Sequence, residues 1–314
     1  MSQLSFLSIA QAKKELKRDK FLNQMKSVVP WDKLCKLIQP YYTEQRLGRK
    51  RMPLERMLKI LCLQNWYCLS DPGVEEEIYD RNSFQKFLKL DLLSEPVPDE
   101  TTILNFRHLL EEHNLFEAMF NEINEHLVQC GFLMKNGTIV DATLIAAPSS
   151  TKNSSGKRDP EMSSTKKGNT WYFGMKAHIG VDEKSGLVHS VRGTTAKVHD
   201  SEVFEDLIHG EEFMVYGDKA YASKDLEEKM HNCGILWGVA YKAARNKPLS
   251  EFQEGSNRLI SKIRCKVEHP FQVIKCQWNY TKVRYRGIKK NLDQIHMLFG
   301  LHNLFKVRKK LLIA

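Results

Sequence analysis

Residues 138–145 read TIVDATLI, a run dense enough in β-branched side chains to predict a strand. One carboxylate, Asp141, interrupts this apolar run. Because strand side chains alternate between the two faces of a sheet, Ile139, Asp141 and Thr143 share one face. A carboxylate on a buried face must be hydrogen-bonded, paired with a cation or bound to a metal. Asp141 is therefore the first candidate for a functional group.

The order of elements after residue 137 predicts an α/β fold. Strand patterns follow at 172–181, 187–194, 213–218 and 235–241, and helical patterns at 200–208, 223–231 and 258–278. This order predicts a mixed sheet with flanking helices, in which the first three strands can form a meander. The intervening residues 149–170 are rich in Ser, Lys and Gly, and they predict a mobile loop.

Residues 1–130 read as all-helical, because their apolar side chains recur at helical spacing. Asp99 is placed to cap the helix that follows it. We therefore predict two domains, a helical N-terminal domain over 1–130 and an α/β domain with a basic C-terminal tail over 131–314.

Charge is distributed unevenly along the 314 residues, whose formal net charge is +10. Residues 1–59 hold 14 Lys and Arg against 5 Asp and Glu, whereas residues 60–130 hold 4 against 14. Residues 251–314 again hold 14 against 4. Two basic ends around an acidic segment are consistent with solvated faces, and equally with a polyanionic partner.

Residues 275–290 favour the polyanion, because KCQWNYTKVRYRGIKK contains six cations, three aromatics and no acid. Cations can neutralise phosphates while aromatic rings stack on exposed bases. The alternative is an amphipathic surface segment. In the N-terminal part, the helix after Asp99 could present Thr102, Asn105 and Arg107 to a DNA groove. The candidate DNA contacts from both ends of the chain are Arg49, Lys50, Arg51, Lys275, Trp278, Lys282, Arg284, Arg286, Lys289 and Lys290.

Other classes of protein are disfavoured by composition. We find no apolar run near the roughly 20 residues that a membrane-spanning helix needs, and no apolar core of a secretion signal near the N-terminus. The seven cysteines show no C-x-x-C spacing, so a zinc site or a disulfide scaffold is not expected. A soluble cytoplasmic protein with reduced cysteines is the expectation.

Two more carboxylates are candidates for a site with Asp141. Asp218 follows a buried strand pattern at the carboxyl end, where α/β sheets place ligands, although a turn or cap residue is the structural alternative. Glu268 lies on the last long helical pattern beside an apolar stripe, in line with Arg264 and Lys275. Its alternative is a surface ion pair with Arg264, and Pro270 predicts a kink just beyond it.

The histidines and one lysine near these positions receive simpler interpretations. His178 either points to the site or faces solvent from its strand, of which the second is favoured, and His199 is expected to cap a short helix rather than to be a ligand. Lys176 is a candidate contact to DNA phosphates.

Four separated motifs together resemble bacterial insertion-sequence transposases of the DDE type. They are IVDATLIAAPSS, WYFGMKAHIGVD, VYGDKAYAS and RCKVEHPFQVIK, and the likeness extends to VPDETTILNFRHLLEEH in the helical part. The resemblance implies an RNase H-like catalytic domain with Asp141, Asp218 and Glu268 as its acidic triad. The family's helix motif, Y-x2-R-x3-E-x6-K, is matched by Arg264, Glu268 and Lys275, but Ser261 stands where the Tyr is expected.

The resemblance further implies two Mg²⁺ or Mn²⁺ ions, since carboxylate oxygens suit hard cations. Water would first free a 3′-OH at the element end, and that 3′-OH would then attack target DNA. The expected partners are double-stranded DNA, meaning terminal inverted repeats and target, and a second copy of the chain bound to DNA. The expected location is the bacterial cytosol at the nucleoid. Two alternatives remain, an RNase H-like nuclease or resolvase that cuts without joining, and an inactive DNA-binding derivative.

Overall fold

The computed structural model describes residues 15–43, 51–134, 136–153, 156–243 and 248–313. Within this part of the chain, every regular element before residue 130 is a helix, which confirms the all-helical prediction there. These helices, α1 to α7, are Lys17–Val28, Trp31–Ile38, Leu54–Tyr67, Asp71–Asp80, Asn82–Leu88, Glu100–Glu112 and Leu115–Gln129.

The rest of the described chain forms a mixed sheet and its flanking helices. The strands β1 to β6 are Gly137–Ala146, Ser163–Lys167, Thr170–Asp182, Val188–Thr195, Met214–Gly217 and Leu236–Val239. The helices α8 to α10 are Lys224–Asn232, Glu251–Gln272 and Ile288–Leu311. The α/β prediction is confirmed.

The strand order reproduces the expected RNase H-like arrangement. β3 pairs antiparallel with β1, β2 and β4, so β1, β3 and β4 form the predicted meander. β5 pairs parallel with β1, and β6 pairs parallel with β5. Parallel neighbours need crossover connections, as the sequence order of strands and helices predicted. β1 therefore lies in the interior of the sheet, with β3 on one side and β5 on the other.

Alternation along the strands divides the apolar side chains between two clusters, one on each face of the sheet. Ile139 of β1 and Tyr216 of β5 belong to the larger cluster, together with Val267 of α9. Val140 and Val215 belong to the smaller cluster on the opposite face. Because Asp141 shares the face of Ile139, it lies on the side that α9 covers.

The larger cluster runs from the N-terminal helices to the C-terminal helix. It contains Leu22 of α1, Ile123 of α7 and Leu304 of α10 as well as the sheet residues. Helices from both sides of residue 130 therefore pack into one core. The domain boundary at that position stays a prediction.

The helix after Asp99 confirms one sequence prediction and corrects another. Thr102 donates its backbone N–H to Asp99 Oδ1 at 2.7 Å, so Asp99 is the N-cap. Arg107 is 7% exposed, and its guanidinium bonds Asp71 at 2.7 Å and Glu111 at 3.2 Å. The prediction that this arginine is presented to DNA is wrong, because these acids hold it inside the protein.

Three further differences concern local structure. Residues 149–170 are not loop throughout, because β2 forms at Ser163–Lys167 by pairing with β3. Residues 200–208 form two short 3₁₀ helices, Asp200–Val203 and Glu205–Leu207. α9 continues past Pro270 to Gln272 and is followed by a π-helical turn, Val273–Gln277.

Candidate active site

Asp141 is the half-buried centre of the candidate site. One of its carboxylate oxygens accepts the backbone N–H of Ala142 at 2.8 Å, and the other lies 3.3 Å from an Arg264 nitrogen. The pKa of Asp141 is raised to about 6, chiefly by burial and also by the negative charges of Asp218 and Glu268, against the opposing effects of the Ala142 N–H bond and of Arg264. The ionised carboxylate is therefore under-compensated by its protein neighbours, which is the environment in which an added cation binds favourably.

Asp218 is brought beside Asp141 by strand register. β1 and β5 are parallel, and Ile139 pairs with Tyr216. Two residues further along each strand, Asp141 and Asp218 follow at the same level and on the same face. The Ala220 backbone N–H donates to Asp218 Oδ1 at 2.8 Å, which fixes the side chain in the turn after β5. Asp218 can therefore stabilise the turn, as the structural alternative expected, and also contribute a carboxylate oxygen to the site.

Glu268 reaches the same region from α9. Its side chain is exposed, and its charge lies close enough to raise the pKa of Asp141. Among the described residues, no group of three or more His, Cys, Asp and Glu side chains is gathered closely enough to hold one metal ion. The carboxylates thus share a neighbourhood without forming a closed three-ligand cage, and roles for the three as a triad stay a prediction.

Two cations flank the acids on this face. Arg264 pairs with Asp141 across the gap between helix and strand. Lys275, in the π-helical turn, donates from Nζ to Thr143 Oγ1 at 2.7 Å and to the Leu144 carbonyl at 2.6 Å. Burial lowers the pKa of Lys275, and the nearby charge of Lys167 lowers it further. A positive charge is thus held two residues from Asp141 along β1.

Lys176 and His178 lie on the opposite face of the sheet, because they pair with Leu144 and Ala142. Lys176 Nζ bonds the Val198 carbonyl at 2.7 Å and Asp200 at 2.9 Å. His178 is fully buried, so the expectation that it faces solvent is wrong. Burial lowers its pKa to about 4, which keeps the imidazole neutral at physiological pH.

Asp200 and Tyr221 also lie in this region, and neither was predicted from the sequence as part of the site. His199 does cap the 3₁₀ helix, as predicted, and the next residue, Asp200, accepts from Lys176. Tyr221 is fully buried, and burial, followed by the charges of Asp200, Asp141 and Asp218, raises its pKa. The only sequence signal was the closeness of Tyr221 to Asp218 in the VYGDKAYAS motif.

The basic C-terminal segment is divided between core and surface. Trp278 is 5% exposed and packs edge-on against Phe305, with ring centroids 6.0 Å apart. Arg284 bonds the carbonyls of Cys68 and Leu69. The exposed cations of this segment are Lys282, Arg286, Lys289 and Lys290.

Of the three predicted contacts near residue 50, Arg49 and Lys50 lie outside the described residues. Arg51 lies over the ring of Tyr42, 5.0 Å from its centroid.

Family models match two parts of the chain. A family model described as "Transposase DDE domain" matches residues 133–304, more than half of the chain. The chain belongs to the DDE transposases. A second model, described as "Transposase domain (DUF772)", matches residues 10–109. These transposases are DNA-cleaving and DNA-joining enzymes that normally use divalent metal ions.

One solved structure has a weak overall similarity to this chain. It is a cryo-EM structure of a piggyBac transposase synaptic complex with hairpin DNA, at 9% sequence identity and a TM-score of 0.46. The match covers 94% of this transposase and 74% of that chain. A likeness of this size carries no inference about the site. Separately, no helix within the described ranges is both long and apolar enough to cross a membrane.

Proposed function

We propose that this transposase cuts the ends of a mobile element and joins them to target DNA, using two Mg²⁺ or Mn²⁺ ions held by Asp141, Asp218 and Glu268. The observation that carries the proposal is the electrostatic state of Asp141. It is desolvated, it lies beside two other carboxylates, and Arg264 is its cationic partner. Oxygen donors with uncompensated negative charge fit hard divalent cations.

When bound, the ions would activate the attacking hydroxyl and neutralise the leaving oxygen. The protein's own residues place and hold the reacting groups. Asp141, in the interior strand, would hold the ions together with Asp218 and Glu268. The backbone bonds of Asp141 and Asp218 keep these carboxylates oriented.

Arg264 and Lys275 would hold the scissile or a neighbouring phosphate. Arg264 lies against Asp141, 3.3 Å from its carboxylate. Its guanidinium would bind a DNA phosphate, for which it can form two parallel hydrogen bonds. Lys275 uses two hydrogen bonds within the protein, and an ammonium has a third donor for a phosphate oxygen.

The DNA path is proposed along the exposed basic residues. Lys282 adjoins the end of β1, because Val283 donates to the Ala146 carbonyl at 2.9 Å. Arg286, Lys289 and Lys290 continue from it, and Arg51 is a further proposed contact. The internal contacts of Lys176, Arg284 and Trp278 give no support to DNA contacts by these three. Holding two element ends together implies a homodimer on DNA.

The test uses DNA carrying the inverted repeats that flank the gene, together with a supercoiled target plasmid and Mg²⁺ or Mn²⁺. A transposase gives cut ends and covalently joined target products. Cut ends without joined products, even from pre-cleaved DNA, would indicate the nuclease alternative. DNA binding without either product would indicate the inactive derivative.

A further inference from the structure

A two-stranded projection extends beyond the sheet next to the candidate active site. The β1–β3 register ends where Ala146 pairs with Gly174. Residues 170–173 of β3 continue past that point and pair with β2. We name residues 163–173 the hairpin arm. At about 3.3 Å per residue, its strands extend roughly 13 Å beyond the last β1 pair.

The base of the hairpin arm is fixed by several contacts. Ser163 Oγ lies 3.0 Å from Thr195 Oγ1 and accepts the Lys197 backbone N–H at 2.9 Å. At Gly174, an added Cβ would lie 2.0 Å from the Ile145 carbonyl oxygen, so only glycine permits this close approach. Just before the arm, Glu161 accepts the Ile288 backbone N–H at 2.8 Å, which ties the chain to the start of α10. The arm therefore projects from a rigid support.

The tip of the hairpin arm is aromatic and basic. Trp171 is 68% exposed and Tyr172 is 40% exposed. Lys166 pairs with Trp171 in the register, so both side chains emerge on one face. No Asp or Glu occurs between residues 162 and 181. A large indole in water beside Lys166, with Lys167 next along the strand, has the composition of a nucleic-acid contact, in which rings stack on bases and cations meet phosphates.

The arm also approaches the candidate active site. Strand β3 connects the two, because Ile179 of β3 pairs with Asp141 and the same strand continues past Gly174 into the arm. In agreement with this, the charge of Lys167 contributes to lowering the pKa of Lys275, and Lys275 is bonded to Thr143, two residues from Asp141. Two cations held near each other repel, and a phosphate between them would relieve that repulsion. Charge complementarity thus favours DNA over a second, equally basic copy of this chain as the occupant of the tip.

We propose that Trp171 stacks on an unpaired base of the DNA end held at the carboxylates, while Lys166 and Lys167 contact its backbone phosphates. The proposal rests on the proposed function, since it needs a DNA end at Asp141. It assigns the arm the task of holding the end open after the strands separate. Trp171 is then a binding residue for the reacting DNA, separate from the carboxylate chemistry.

The test measures binding of full-length protein to labelled duplexes in EDTA, one blunt and one with a short unpaired 3′ tail. Trp171→Ala should weaken binding of the tailed duplex by about 5- to 150-fold, the effect of losing one stacked base. Binding of the blunt duplex should change little, and Trp171→Phe should retain most of the tailed-duplex affinity. The matched control is Phe213→Ala, because Phe213 is 70% exposed and lies at the opposite end of the sheet.

Salt dependence tests the lysines. Replacing both Lys166 and Lys167 with Ala should reduce the slope of log affinity against log salt by about 1.4 to 1.8. An unchanged slope would overturn their assignment to phosphates.

Failure of the inference can be separated from failure of the proposed function. If the wild-type protein cuts and joins element ends but Trp171→Ala binds both duplexes as Phe213→Ala does, the inference is overturned and the function stands. Equal weakening on blunt and tailed duplexes would also overturn base stacking. A change in the sedimentation mass of free Trp171→Ala protein would show that the ring covers a second copy, which again overturns it. If the wild-type protein cuts no DNA, the proposed function itself is at fault.

Discussion

Replacing Asp141 with Asn is expected to abolish cleavage and, in the absence of metal, to stabilise the protein at neutral pH. Burial raises the pKa of this carboxyl from 3.8 to about 6, with Asp218 and Glu268 adding to the effect. The folded protein therefore binds this proton more tightly than the unfolded chain does. The contribution of Asp141 to the free energy of unfolding therefore falls as pH rises from about 4 to about 6, and this loss of stability is complete above the pKa of the folded state.

The size of the effect follows from the two pKa values. At 1.36 kcal/mol per pH unit, the difference corresponds to about 3 kcal/mol. Asn keeps an oxygen for the Ala142 N–H but does not ionise. The difference in unfolding free energy between Asp141→Asn and wild type should therefore grow by about 3 kcal/mol, in favour of the variant, between about pH 4 and about pH 8.

The assay is urea unfolding in EDTA across this pH range, because chelation removes the compensation that bound ions would provide. Asp80→Asn is the control, since Asp80 is exposed at the end of α4. Its unfolding free energy should follow that of wild type across the range. If the Asp141→Asn difference stays constant with pH, or changes in favour of wild type at high pH, the described electrostatics of Asp141 are refuted.

Three further results are expected. Metal affinity, measured by Mn²⁺ titration of the wild type, should fall about tenfold for each pH unit below about 6, because a bound ion must displace the Asp141 proton; a pH-independent affinity between about pH 4 and 6 would contradict this. Arg107→Ala should lower the free energy of unfolding by about 3–5 kcal/mol, because it leaves Asp71 and Glu111 without their buried partner; an unchanged urea midpoint would count against the buried network. Trp278→Ala should cost about 3–5 kcal/mol through the cavity it leaves; unchanged stability with weaker DNA binding would instead place this ring on DNA.

Much of the sheet could be predicted because its strands carry their own signal. Residues 138–145 and 213–218 are β-branched or apolar runs and were predicted as strands, whereas the grouping of Asp141 with Asp218 came from the family resemblance. The register, with Ile139 opposite Tyr216, then explains why they share a level. Strand β2 gave no such signal, since SSTKK is poor in strand formers and forms a strand only through its partner β3.

Burial was harder to predict than secondary structure, because it depends on what covers each face. The strand containing His178 was predicted, and alternation places its side chain on the face opposite Asp141. The sequence does not reveal that the 3₁₀ helices after β4 cover that face. Trp278 follows a π-helical turn, which shifts side chains away from the positions that α-helical spacing assigns. Arg107 lies on an exposed-looking helix and is buried by acids from two helices, a contact that only tertiary structure reveals.

The most direct test of the central claim compares single carboxylate variants in metal-dependent DNA cleavage and joining. Asp141→Asn, Asp218→Asn and Glu268→Gln would be assayed on element-end DNA with Mg²⁺ and with Mn²⁺, beside Asp80→Asn. Loss of a metal ligand removes several kcal/mol of transition-state stabilisation, so each of the three should lose about 10³-fold or more in rate while still binding the DNA. Cleavage at the wild-type rate by any one of the three would contradict the account.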